Sequence, residues 1–183
     1  MGGWALLLTG SYRRALDDKL RLAIPKPLRE QLQLGARLYL TPGLDGCLAV
    51  YPEVAFAALA ERLAAASPAA REIRDYSRLF YSQAACVVPD GQWRFRVPAE
   101  LTQWAALEGE VMVVGVRDHL EVWAAEKWTQ YISQCDPHYD RLAELALVAP
   151  LQPGTTQPSA AAATEAEIQR AEVSANTGPT RPK

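Results

Sequence analysis

The stretch Asp17 to Pro25, DDKLRLAIP, decides how this chain is read, because Asp90 to Pro98, DGQWRFRVP, repeats its plan. In each, an Asp is followed four residues on by an Arg and eight residues on by a Pro, and a strand-like run leads into a helix-like one. Asp17 and Asp90 stand 73 residues apart, and the same offset relates Arg21 to Arg94, Pro25 to Pro98, Leu28 to Leu101 and Leu34 to Leu107. One offset shared by several positions marks a duplicated unit.

Around the first copy, Tyr12 and Leu16 in GSYRRALDD give a half-buried strand, and Asp17 and Asp18 supply a turn. A second strand, Leu20 to Ile24, stops at Pro25, which has no N–H for a ladder and suits the first turn of a helix. Leu28, Leu32 and Leu34 line that short helix, with Gly35 as its stop. Leu38 to Thr41 and Leu48 to Tyr51 then flank a hairpin turn rich in Pro42, Gly43, Asp45 and Gly46. The second copy answers with a strand from Trp93 to Val97, a helix bearing Leu101, Trp104 and Leu107, and a hairpin in EVMVVGVRDHLEVW turning at Arg117 to His119. There HLEVW matches CLAVY at an offset of 72, one residue having been lost from a turn.

Helices follow each hairpin. Phe56, Leu59 and Leu63 fall at helical spacing, as do Ile73, Tyr76, Leu79 and Phe80, with Ser67-Pro68 as a break and cap between them. Trp128, Tyr131, Ile132 and Cys135 form the counterpart, and a last helix from Asp136-Pro137 carries Leu142, Leu145 and Ala146. The expected fold is α+β: two tandem β-β-α-β-β repeats with appended helices around a small β-barrel-like core. The expected boundaries are an N-terminal extension at 1–9, repeats at 10–83 and 84–149, and a Pro/Ala/Thr-rich tail at 150–183. That tail is too poor in apolar residues to offset chain entropy and reads as disordered.

Composition is that of an ordinary globular protein, with 49% hydrophobic and 22% charged residues among 183. Repeats of this size are marginal alone, so a fused pair or an oligomer is expected. No run approaches the ~18 apolar residues of a membrane span, and the start, MGGWALLLTG, has neither a basic residue before its apolar patch nor a cleavage-type end. A cytoplasmic protein is expected. Cys47, Cys86 and Cys135 form no CxxC pair and read as small buried hydrophobes.

Catalysis has little to work with. His119 and His138 are the only histidines, neither has an evident Ser or Cys partner, and no Gly-rich phosphate loop, HExxH or GxSxG occurs. Asp17 and Asp90 could be paired acids, but each sits four residues from an Arg, and an internal ion pair that fixes the loop explains the spacing equally well. The cations are more telling. Net charge is −2, yet residues 1–40 hold seven basic side chains against three acidic ones, a local +4. Arg21 opens a strand, and Lys19 precedes it at the same side-chain parity, so both can project from one face. A guanidinium fork can pair with guanine O6 and N7 or grip a phosphate, and a two-stranded ribbon fits the major groove. Arg71, Arg74 and Arg78 share a helix face that is either solvated or a phosphate contact. Trp104, Trp123 and Trp128 sit at apolar-periodic positions and read as core, the alternative being a scaffold that binds a protein partner through them.

The segments GSYRRALDDKLRLAIPKPLRE, GLDGCLAVYP, DGQWRFRVPAEL and VVGVRDHLEVW resemble the MraZ family of bacterial transcriptional regulators, relatives of the AbrB-type swapped-hairpin proteins. The resemblance runs in order over residues 10–145 and through both halves. It implies a closed ring of subunits at the nucleoid, binding short G-rich direct repeats upstream of the division and cell-wall gene cluster that the regulator heads, usually as a repressor. The family's Asp-x3-Arg motifs fall on Asp17 and Arg21 and on Asp90 and Arg94, its intervening basic position on Lys19, and its Arg after the Pro on Arg29. With Arg13, Arg14 and Arg96 these arginines and Lys19 make up the expected DNA-binding set, and Asp17, Pro25, Asp90 and Pro98 its framework. The expected partners are double-stranded DNA and further copies of the chain; no cofactor, metal, membrane or small-molecule substrate is called for. One departure stands out: the family usually has Gly before each motif Arg, where this chain has Leu20 and Trp93, and an altered turn is expected there.

Overall fold

The computed structural model describes residues 7–32, 37–66 and 69–148. The helix stop at Leu34 and Gly35, the Ser67-Pro68 break and the tail from residue 150 lie outside them. The first compact unit runs to Pro137. Its elements are β1 (Ser11–Ala15), β2 (Arg21–Ala23), α1 (Lys26–Arg29), β3 (Leu38–Pro42), β4 (Leu48–Pro52), α2 (Glu53–Ala65), α3 (Arg71–Gln83), β5 (Ala85–Val87), β6 (Arg94–Arg96), α4 (Ala99–Trp104), β7 (Glu110–Val116), β8 (His119–Ala124) and α5 (Ala125–Cys135). Helix α6, Tyr139–Val148, belongs to the next unit. No helix among the described residues is long and apolar enough to cross a membrane.

Both copies have the predicted β-β-α-β-β order, but they do not fold side by side. The six-stranded antiparallel sheet runs β1-β7-β8-β4-β3-β5, so each repeat hands its first strand to the other. Arg14 pairs with Val111 and Leu38 pairs with Val87; each pair maps onto the other through the 73-residue offset. The two hairpins meet at β4 and β8, where Leu48 faces Val122 and Val50 faces Leu120 around a central Ala49–Glu121 pair. A pseudo-two-fold axis therefore passes between the repeats. The sheet is open, with β1 and β5 at its two ends, so the expected barrel-like core is not a closed barrel.

Strands β2 and β6 form a separate antiparallel ribbon. Its inward side chains, Leu22 and Phe95, enter one core with Ile24, Leu28, Leu32, Leu38 and Leu40 and with their counterparts Val97, Leu101, Ala105, Val111 and Val113. Burying each of the larger aliphatic side chains contributes about 1.5–3 kcal/mol. Neither repeat could assemble this core alone.

Three expectations fail locally. Trp104 is 50% exposed rather than core, because α4 ends on it and the chain turns through Ala106, at φ 51°, to bring Leu107 in instead. Cys86 is exposed and Cys135 half-buried, leaving only Cys47 as a buried thiol; Cys86 lies on β5 at the sheet edge, where its side chain faces outward. Leu8, assigned to an N-terminal extension, is fully buried. Its backbone exchanges hydrogen bonds with Arg117 at 2.7 and 2.9 Å. Gly115 permits the approach, since a Cβ there would stand 2.5 Å from the Thr9 nitrogen.

Candidate nucleic-acid interface

The site begins with an Asp turn built twice. In the first copy Oδ1 of Asp17 accepts from the backbone N–H groups of Lys19 at 3.0 Å and Arg21 at 2.8 Å, while Oδ2 accepts from Arg21 Nε at 2.7 Å and pairs with Nη2 at 2.7 Å. In the second, Asp90 receives Gln92 N–H and Arg94 N–H, both at 2.9 Å, and Arg94 Nε and Nη2 at 3.0 and 2.9 Å. Side-chain hydrogen bonding from Arg21 is the main reason the Asp17 carboxyl titrates below its ordinary range; for Asp90 the backbone N–H of Arg94 leads, followed by its side chain. Both carboxylates therefore stay charged through neutral pH. The pairing in turn raises the Arg21 guanidinium above its already high value. The acid reading of Asp17 and Asp90 gives way to the ion-pair reading, since each carboxylate is occupied by its own turn.

The turn closes only with a left-handed residue before the Arg. Leu20 takes φ 58° and Trp93 φ 61°, a region costing a side-chain-bearing residue about 1–2 kcal/mol. Both turns take the same left-handed form, and in each the side-chain-bearing residue carries the strain. The strand consequently starts at Arg21, not Leu20, and at Arg94, not Trp93. Lys19 and Arg21 do not share a face by strand alternation, for the same reason. Lys19 belongs to the turn, and the inverted Leu20 breaks the alternation between it and Arg21.

On the ribbon Arg21 pairs with Arg96, Leu22 with Phe95, and Ala23 with Arg94. With Leu22 and Phe95 turned to the core, alternation places Arg21, Ala23, Arg94 and Arg96 together on the outer face. The Arg21 and Arg94 side chains are 35% and 33% exposed despite their carboxylate partners, so each guanidinium is braced along one edge and open along another. Arg96 is exposed and, like Lys19, makes no side-chain hydrogen bond or ion pair with another described residue. A braced fork loses less freedom on binding than a loose one, and guanine edges and phosphates suit its geometry.

The remaining predicted residues scatter. Arg29 is half-buried and its Nε donates to the Ile24 carbonyl, tying α1 to the end of β2. Arg13 and Arg14 lie on β1 of the large sheet; Arg13 pairs with Glu110 at 2.9 Å, and Arg14 Nη1 donates to the Arg13 carbonyl at 2.7 Å. Pro25 and Pro98 sit at the N-termini of α1 and α4, as the sequence implies. On α3, Arg71 and Arg78 both pair with Asp75, at 3.3 and 3.2 Å, and Arg74 Nη1 donates to the Ala69 carbonyl at 2.8 Å. That is the solvated, internally paired face.

Elsewhere, Trp123 is buried and packs with Trp128 and Tyr131 at centroid distances of 5.6 and 5.0 Å. His119 stacks on Tyr51 at 4.8 Å and faces Asp118 and Glu121. Burial is the largest single influence on its imidazole and lowers the pKa, but hydrogen bonds to Glu121 and Asp118 together outweigh it, and the net shift is upward.

The chain is thus a tandem-repeat, strand-exchanged α+β protein that displays a cationic β-ribbon braced by two Asp turns. A family profile described as "MraZ protein, putative antitoxin-like" matches it twice, over residues 7–79 and 80–145, and the chain belongs to the MraZ family. It is 39% identical over 138 residues to a protein of Heliobacterium modesticaldum, covering 75% of this chain and 95% of that one. A Frankia casuarinae protein is 38% identical over 77% of this chain and 97% of its own length, and one from Limosilactobacillus reuteri 39% over 75% and 96%. All three are named transcriptional regulator MraZ.

Proposed function

We propose that this chain is a sequence-specific DNA-binding transcriptional regulator whose reading element is the β2–β6 ribbon. In this reading it acts at the nucleoid, in the cytoplasm, as a ring of identical subunits. It binds short G-rich direct repeats upstream of the division and cell-wall gene cluster it heads, and represses that cluster. The supporting observation is the ribbon's outer face, where Arg21, Arg94 and Arg96 stand together, two of them braced by carboxylates and still open to solvent. The names of the relatives support regulation of transcription. Ribbons repeated around a ring would meet successive boxes, and linked engagement multiplies affinity without new contacts. Leu79, Val88 and Trp104, at 61%, 56% and 50% exposure, offer apolar surface for subunit association. Arg13 and Arg14 on the edge strand, and Lys19 in the turn, then serve as backbone contacts, with Arg29 acting on DNA through the end of β2 that it holds.

The test is a mobility-shift titration of the gene's own upstream fragment against a scrambled fragment, at two ionic strengths. Binding that neutralises several phosphates weakens steeply as salt rises. Arg21→Ala is expected to weaken binding to the native fragment by about 1–3 kcal/mol per lost base contact in each engaged subunit. Lys19→Ala is expected to weaken both fragments alike and to reduce the salt slope by about one. An unchanged titration for Arg21→Ala removes the ribbon from the mechanism. A protein scaffold gripping through Trp104 is the second reading; salt-insensitive capture of a protein with no retention of the upstream fragment favours it.

A further inference from the structure

The ribbon is built as a near-perfect two-fold object. The 73-residue offset carries the Arg21–Arg96 pair onto the Arg94–Ala23 pair and the central Leu22–Phe95 pair onto itself. The closing hydrogen bonds obey the same operation, Val97 N–H to the Leu20 carbonyl at 2.8 Å and Ile24 N–H to the Trp93 carbonyl at 2.9 Å. A ribbon symmetric in its side chains as well would lie on a duplex equally well in either direction, since the duplex has local two-fold axes of its own.

The outer side chains break that symmetry. Arg21 answers Arg94, but Ala23 stands where Arg96 stands in the other strand, and Lys19 where the second turn has Gln92. One end of the ribbon therefore carries Lys19, Arg21 and Arg96, and the other carries Arg94 beside Ala23 and Gln92. At the rich end two arginines are partners in the cross-strand register, and only Arg21 of the two makes an ion pair, with Asp17. Arg96 is the cation left for an anionic or electronegative ligand edge; at the poor end the single Arg94 is already paired with Asp90.

We propose that the Arg96/Ala23 mismatch fixes the direction in which the ribbon lies on duplex DNA, so that the chain takes a non-palindromic element in one orientation, with Arg96 reading its guanine-bearing end. This rests on the ribbon being the DNA-contacting element, and the experiment separates the two. Full-length protein is used to select sequences from a random duplex library. The enriched element is then titrated against two palindromic derivatives, each made by doubling one of its halves.

The wild type is expected to prefer the selected element to the derivative of the poor-end half by about 10-fold or more, the discrimination one bidentate Arg–guanine pair provides. In Arg96→Ala, which puts Ala at both strand positions and leaves Lys19 against Gln92 as the remaining difference, that ratio is expected to fall most of the way to one. Ala23→Arg makes it symmetric with Arg at both positions and is expected to shift preference to the derivative of the rich-end half. A palindromic element selected by the wild type overturns the inference, as does an Ala23→Arg variant that selects the wild-type element with an unchanged ratio. An Arg21→Ala/Arg94→Ala double variant with undiminished affinity overturns the ribbon reading itself. If that double variant loses binding while Arg96→Ala and Ala23→Arg leave the ratio unchanged, the orientation device alone falls.

Discussion

The first Asp turn and the second are the same piece of backbone carrying different side chains. Each carboxylate receives two backbone N–H groups and the guanidinium four residues on, within 2.7–3.0 Å, and each turn closes on a left-handed residue. What differs is the side chains around the shared Arg: Lys19 against Gln92, Ala23 against Arg96 and Lys26 against Ala99 on the exposed side, and Arg29 against Thr102 where each donates to a backbone carbonyl. The comparison separates two demands on one motif. Its hydrogen-bond geometry is set by the turn and is met twice; its surrounding charge is left free by the turn and differs between the copies.

The comparison can be broken hardest at Trp93. There the indole packs against the core as well as occupying the left-handed position, so Trp93→Gly relieves strain but forfeits more in packing. A net loss of about 2 kcal/mol in urea unfolding is expected. Next comes Thr41, whose buried hydroxyl has no hydrogen-bond partner, while the position 73 residues on is Val114. Thr41→Val makes the first repeat resemble the second and is expected to stabilise by about 1 kcal/mol, since an unsatisfied buried hydroxyl costs at least that much; a lower midpoint denaturant concentration would refute it. Leu20 has the strain of Trp93 without its core contacts, so Leu20→Gly is expected to stabilise by about 0.5 kcal/mol after the extra unfolded-chain entropy of Gly is counted. The opposite signs of Leu20→Gly and Trp93→Gly are the sharpest check on the claimed equivalence.

The smallest effect expected is a pH dependence at the hairpin junction, where His119 stacks on Tyr51 and its counterpart Cys47 packs beside Trp123. The folded state raises the His119 pKa through the Glu121 and Asp118 hydrogen bonds, in spite of burial. The charged imidazole thus contributes stability that is fully present below its unfolded pKa of about 6.5 and is lost as pH rises through the higher folded value. A thermal midpoint that declines slightly above about pH 6.5 is expected, with the decline flattened in His119→Gln. Differential scanning calorimetry at a series of pH values would measure both.

Much of this was legible in the residues. The offset pairs Leu28 with Leu101, and both are buried; Pro25 and Pro98 mark both helix starts; the Asp-x3-Arg spacing narrowed the carboxylates to paired acids or an ion pair, and the ion pair is what forms. The exchange of β1 and β5 was legible only through the resemblance to swapped-hairpin proteins, because local periodicity states that a strand has a buried face and never which distant strand lies beside it. Leu8 was missed because it stands in an apolar run outside the duplicated pattern, and its burial depends on Gly115 more than a hundred positions away. Trp104 was misplaced because helical spacing assumes a helix that continues, and α4 stops on that residue. The grouping of Arg96 with Arg21 required the cross-strand register, which joins residues 75 apart. It is also what separates the ribbon arginines from Arg13 and Arg14.

The exchange of first strands has a consequence for how the chain leaves the ribosome. Ser11–Ala15 emerges early, yet its partner Glu110–Val116 is translated only after most of the globular unit already exists, so the nascent strand waits unpaired. On a crowded message the β7 of a neighbouring nascent chain offers the same register, and intermolecular pairing competes with closure on itself.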